Sequence, residues 1–116
     1  PHAWNTVVEG GDMLEDEMIR ETRRGFIVLN NWYTRLQNYI EGEFSTVTRD
    51  ALMFVEKGEI VGYSQRMRIA DKFPRLLRNI IGMSKKCYDI QWWEVRTPTR
   101  APFILVSETI FTKPSV

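Results

Sequence analysis

Few residues in this chain have the types and spacing that could do chemistry. There is one histidine, His2, and one cysteine, Cys87, far apart in sequence. There is no HExxH helix, no CxxC pair and no Ser/His/Asp set. A zinc site needs three or four N, S or O donors, and two distant residues do not supply them. The expectation is that the chain contains no catalytic and no metal-binding residue. Lys85-Lys86 could lower the thiol pKa of Cys87; a small apolar residue at a helix exit is the plainer reading. Thr48-Arg49-Asp50 is the one compact polar set inside an otherwise apolar hairpin. It could pair with a substrate carboxylate or a partner, or form a strand-edge ion pair of little energetic weight. Trp92 and Trp93 are adjacent, so on a strand one faces the core and the other could stack on a base or a partner. The candidates for contact with a peptide or partner are therefore Thr48, Arg49, Asp50, Trp92 and Trp93.

The elements that must position these residues centre on Phe44–Tyr63, read as a short strand, a polar kink and a hairpin. Ala51, Met53 and Val55 share one face of the extended chain, and Leu52 and Phe54 the other. Both faces are apolar, which predicts cover on both sides. Glu56-Lys57-Gly58 reads as a three-residue turn with a bulge, Gly58 supplying the left-handed conformation. Ile60, Val61 and Tyr63 return. A lone hairpin is only marginally stable in water and needs neighbours.

The neighbours follow from the rest of the pattern. Trp4–Val8 is β-rich. Asp12, with Glu15 three residues on, has the form of a capping box and opens a helix over Asp12–Arg24. Acidic residues at its start and arginines at its end complement the helix dipole. Phe26–Trp32 is a strand, and Tyr33–Gly42 reads as extended chain entering a turn at Glu41-Gly42. Met67 and Ile69 mark a short strand. Asp71 caps a second helix, Lys72–Ile81. Pro74 lies in its first turn, and Phe73, Leu76, Leu77, Ile80 and Ile81 form its stripe. Gly58 and Gly82 are structural stops and not a phosphate loop. Asp89–Val95 reads as a strand carrying both tryptophans, 97–102 as a loop, and Phe103–Thr112 as the last strand. The sum is an α+β fold, mainly antiparallel sheet with two helices. Leu52, Phe54, Leu76, Leu77, Ile80 and Ile104 are expected in the core.

The length of 116 residues and 43% apolar content fit a single domain over 1–116 that buries about two-thirds of its unfolded surface. No apolar run is long enough for a bilayer, and the first residues lack the form of a signal peptide. The absence of an initiator Met points to a fragment of something longer. A single cysteine cannot form an internal disulfide, so cytoplasm is the default compartment. The net charge of +1 divides into −4 over residues 1–58 and +5 over residues 59–116. A basic half suits nucleic acid, a partner surface, or plain solvation. Four Trp, four Tyr and six Phe are many for one small domain, which predicts an exposed apolar patch and association.

Three stretches carry a resemblance: GGDMLEDEMIRETRRGFIV, GEFSTVTRDALMFVEKGEIV, and RLLRNIIGMSK followed by a proline-led final strand. Together, from about Gly10 to Thr112, they resemble the C-terminal domain of the TldD/PmbA family, also called modulators of DNA gyrase; PmbA-type members are also called TldE. The resemblance implies a longer, two-domain protein. It also implies a cytoplasmic heterodimer of TldD and PmbA-type subunits, a zinc metallopeptidase acting on unfolded peptides. In the family the catalytic HExxxH helix lies upstream of the matching region. TldD-type members add a zinc-binding cysteine in the loop before the last strand. Here Asp89–Arg100 has no cysteine, and Cys87 comes too early and lacks the glycine-rich surroundings of the family ligand. This favours the metal-free PmbA-type subunit, or an archaeal-like variant. Thr48-Arg49-Asp50-Ala51 also departs from the glycine more usual after such an Arg-Asp. The expectation is a non-catalytic subunit domain, inactive and without cofactor by itself, with zinc in the catalytic subunit. It would act by homo- or heterodimerisation and by shaping the peptide cleft, with no membrane contact. A sheet edge could hold an extended peptide. The second reading is a nucleic-acid module using the basic half, distinguished by a steep salt dependence.

Overall fold

The computed structural model of the chain describes residues 4–113, and within them every side chain but that of Ala51. In chain order the elements are β1 (Thr6–Val7), α1 (Glu15–Arg20), β2 (Arg24–Asn38), β3 (Glu43–Glu56), β4 (Glu59–Ser64), β5 (Arg68–Lys72), α2 (Phe73–Arg78), β6 (Ile80–Ile90), β7 (Thr99–Val106) and β8 (Phe111–Thr112). The architecture is α+β and mainly antiparallel, as the pattern predicts.

The apolar stretch at the centre of the sequence is also the centre of the larger sheet. β2 pairs antiparallel along the whole of β3, from Arg24↔Glu56 to Asn38↔Glu43. The other edge of β3 is shared. β5 takes its first half, Glu43 to Val47, and β4 its second, Leu52 to Glu56; β8 then pairs with β5. A strand with neighbours on both edges is where fully buried side chains belong. Leu52 and Val55, on opposite faces by strand alternation, are 0% and 1% exposed. Phe44, Val47 and Ile69 complete this core with Met18 of α1. Rings at its margin stack further: Phe26 lies 5.5 Å from Phe54 and 4.9 Å from Phe111.

The expected kink at Thr48-Arg49-Asp50 does not interrupt β3. It survives as a left-handed Asp50, φ 61°, opposite an irregularity between Val28 and Asn30 of β2. The hairpin differs from the expected three-residue turn. Glu56 pairs with Glu59, which leaves a two-residue loop, Lys57-Gly58, with φ of 52° and 79°. Two positive φ values make a type I′ turn, whose twist matches the flanking strands. Lys57 N–H donates to the Arg23 carbonyl at 2.7 Å and Gly58 N–H to that of Thr22 at 2.8 Å. A Cβ at residue 58 would stand 2.9 Å from the Arg20 carbonyl.

Those same bonds correct the first helix. Asp12–Arg24 was the expectation; α1 is only Glu15–Arg20. Met13 is already bridged to Ser84, so Leu14 is the N-cap, its N–H held by Glu17 at 3.2 Å. At the far end Thr22 and Arg23 are drawn into the hairpin ladder. The second helix is likewise Phe73–Arg78 and not Lys72–Ile81. Asp71 belongs to β5, yet its buried carboxylate accepts from Lys72 N–H and from Arg75, both at 2.7 Å. Ile80 pairs with Val106, so the end of the presumed helical stripe is strand. The expected core shrinks with it. Leu77 is 56% and Ile104 41% exposed, while Phe54, Leu76 and Ile80 are half-buried.

The smaller sheet runs β1-β7-β6, with β1 parallel to β7. Of the residues expected to form a loop at 97–102, Thr99 to Pro102 instead open β7, and Pro102 is buried. The presumed last strand, Phe103–Thr112, is the end of β7, a turn at Glu108 (φ 56°) and β8. Pairing skips from Met83↔Ile104 to Cys87↔Pro102. Within that skip the fully buried Ser84 Oγ accepts from Phe103 N–H at 2.9 Å and donates to the Lys86 carbonyl at 2.7 Å. Gly11 and Met13 run along β6, bonded to Ser84 and Met83. A Cβ at residue 11 would lie 2.6 Å from the Met83 carbonyl. Among the described residues no helix is long and apolar enough to cross a membrane.

Candidate functional site

The polar set of β3 divides by strand alternation. Thr48 points inward and is 1% exposed. Its Oγ1 accepts from Met67 N–H, and its own N–H donates to the Met67 carbonyl, both at 2.9 Å. It ties β3 to the chain entering β5. Arg49 emerges on the other side and is exposed. Its guanidinium lies 4.3 Å from the ring centroid of Trp32 on β2 and 5.7 Å from that of Trp92. Contacts of this kind contribute about 0.5–1 kcal/mol at exposed sites.

Trp92 reaches Arg49 because Asp89–Val95 is not the expected strand. β6 ends at Ile90, and Val95 N–H folds back to the Trp92 carbonyl at 2.9 Å. The turn sits against the outer edge of β2. Trp92 Nε1–H donates to the Asn31 carbonyl at 2.8 Å, and Tyr33 N–H donates to Glu94 Oε1 at 2.7 Å. Two side chains thus satisfy an edge that would otherwise offer its backbone to another strand. Trp93, 61% exposed, stands 6.2 Å from Trp92, tilted 49°. Neither tryptophan is fully buried.

Asp50 bonds across to β2 and not to Arg49. Its carboxylate accepts from Asn30 Nδ2 at 2.8 Å. The oxygen of that amide, Asn30 Oδ1, is buried and without a hydrogen-bond partner. Tyr33, directly after Trp32, is held at φ 53°, an uncommon conformation for a bulky residue. Two left-handed non-glycine residues on paired strands are therefore gathered at one place, and such strain tends to collect at clamps and sites. The four exposed or half-buried candidates Arg49, Asp50, Trp92 and Trp93 are brought to one surface, and Thr48 lies beneath it. Asn30, Trp32, Tyr33 and Glu94 also belong to it. Sequence reasoning passed over them because they sit on other elements, with no local motif to join them.

Elsewhere, the phenol of Tyr88 donates to the Glu15 carboxylate, joining β6 to α1. That bond, with smaller contributions from burial and the carboxylate's charge, raises the Tyr88 pKa above its ordinary value. A shallow, open cleft of about 580 Å³ lies between β1 and the 89–100 segment. Among the described residues no three His, Cys, Asp or Glu stand together that could hold the zinc the family resemblance implies for an assembly, and the half-buried Cys87 thiol lies 4.0 Å from the Val8 carbonyl. In the basic half, Arg75, Lys72 and Arg100 are paired with Asp71, Glu41 and Asp89, which reduces the charge free to meet phosphates.

Fold and site together define a two-sheet α+β domain with an aromatic–arginine surface where a β6–β7 turn meets the larger sheet. The PmbA/TldA metallopeptidase C-terminal domain matches residues 1–113, and the chain belongs to that family. No curated protein matches it. Among solved structures it is similar to TldE from Thermococcus kodakarensis, with a TM-score of 0.75 and 22% identity, covering 93% of this chain and 23% of that one. It is similar also to a putative modulator of a DNA gyrase from Thermotoga maritima, with a TM-score of 0.71 and 27% identity, covering 93% and 24%. The first likeness is one of fold. The chain spans about a quarter of the length of each.

Proposed function

We propose that this chain is the C-terminal domain of a non-catalytic, PmbA/TldE-like subunit in a cytoplasmic zinc metallopeptidase assembly, where it contributes dimerisation and shapes the peptide cleft. One observation carries the reading. The loop that bears a zinc-binding cysteine in TldD-type members here bears Trp92, Trp93 and Glu94, and it is fastened to β2 through Trp92 and Glu94. A loop committed to packing and aromatic contact serves recognition and not metal ligation. The exposed apolar residues Phe73, Leu77 and Ile81 offer surface for a partner subunit.

The test is co-expression with a TldD-type subunit. The expected result is co-purification as a defined complex that cleaves unfolded peptides, while this chain alone neither cleaves them nor retains zinc after dialysis. One zinc per isolated chain, lost on Cys87→Ser, would overturn the assignment. So would peptidase activity of the chain by itself.

A further inference from the structure

We infer that Arg49 is a carboxylate-binding residue, its guanidinium held ready by Trp32 and Trp92 to take a peptide's C-terminal carboxylate or an acidic side chain. The inference rests on the peptide-cleft reading and adds a specificity to it.

Three observations converge. First, the guanidinium lies against two indoles, at 4.3 and 5.7 Å from their centroids. Ring contact fixes the plane of the fork but uses none of its N–H donors in hydrogen bonds. Second, among the described residues Arg49 has no ion pair and no side-chain hydrogen bond. Third, two acidic residues of the same surface are engaged by neutral donors. Asp50 is held by the Asn30 amide and Glu94 by Tyr33 N–H. The residues bearing these arrangements, Asp50 and Tyr33, are the ones in left-handed backbone, at φ 61° and 53°.

A planar fork with free donors matches a carboxylate bidentately, and its preorganisation spares the ordering cost that a free arginine would meet. Exposed Trp93 and Tyr33, which stand against Trp92 and Trp32, add apolar surface for the residues preceding the carboxylate. Phosphate would also suit the fork. The pairing of Lys72, Arg75 and Arg100 within the chain lowers the charge offered to a polyanion, and peptide is the ligand class that agrees with the cleft reading.

The experiment is a titration of the chain followed through the Arg49 Nε–H and indole N–H resonances. The probes are three short N-acetylated peptides: one with a free C-terminal carboxylate, its C-terminal amide, and that amide carrying one glutamate. The expected result is binding of the first about tenfold tighter than the amide. Recovery of that affinity by the glutamate peptide would assign an acidic side chain as a second source. Arg49→Lys, which keeps the charge and loses the fork, should weaken the preference, and Arg49→Gln, which loses both, should abolish it, each moving the urea midpoint by less than about 1 M. Equal affinity for acid and amide would overturn the inference while leaving the peptide-cleft reading intact. Absence of binding by all three peptides would overturn both. Tighter binding of a thymidine oligonucleotide, falling steeply with salt, would give the site to nucleic acid.

Discussion

Truncating Leu52 and Leu77 to alanine separates a strand core from a helix core. The sequence pattern places both leucines inside, but Leu52 is 0% and Leu77 56% exposed. Fully burying a leucine side chain stabilises by about 1.5–3 kcal/mol. At position 52 the truncation also leaves a cavity, because β2 and β4 flank it with Val28 and Ser64 in register. The combined loss should fall near 3–4 kcal/mol, within the range for buried leucines. At position 77 less than half of the transfer energy applies, and the space opens to water, so the loss should be about 1 kcal/mol or less. With a urea slope of about 1.5 kcal/mol per molar, Leu52→Ala should lower the unfolding midpoint by about 2 M and Leu77→Ala by well under 1 M. The assay is equilibrium urea unfolding of the isolated chain, followed by circular dichroism. Equal shifts, or a larger one for Leu77→Ala, would refute the placement of the core on β3.

Ser84→Ala should cost about 1–3 kcal/mol by leaving Phe103 N–H buried without its acceptor, and amide exchange at Phe103 should accelerate ahead of global unfolding. Gly11→Ala should detach residues 11–13 from β6, since its Cβ would meet the Met83 carbonyl at 2.6 Å; limited proteolysis before α1 is the readout. Arg75→Ala should destabilise by about 2 kcal/mol, because the Asp71 carboxylate stays buried after losing its charged partner. Tyr88 should ionise at higher pH than a free tyrosine, because the bond to Glu15 favours the protonated phenol. A raised folded pKa means that its stabilisation is present below about pH 10 and is lost as pH rises through the folded value. Tyr88→Phe should remove that part of the alkaline dependence, read by tyrosinate absorbance and unfolding midpoints across alkaline pH.

The sequence by itself determined the β character of the fold, the position of its central strand and the site of the hairpin turn. These are local properties. Alternation, β-branching and a Lys-Gly step act over a few residues, and no distant contact reverses them. The family resemblance was legible for the same reason, in contiguous stretches. Helix length was not. Asp12–Arg24 and Lys72–Ile81 have helical spacing, but ladder bonds from Met13, Arg23 and Ile80 claim their ends, because tertiary hydrogen bonds outweigh propensity in so short a helix. The tryptophans were identified as contact candidates, but their place was decided by tertiary structure. Trp92 and Glu94 each meet residues 61 positions away, and no period in the sequence encodes that meeting. The same holds for Arg49. Its type and neighbours were plain, but that Trp92 would join Trp32 against it and that Glu94 would bond Tyr33 N–H depends on how the β6–β7 turn docks against the edge of β2.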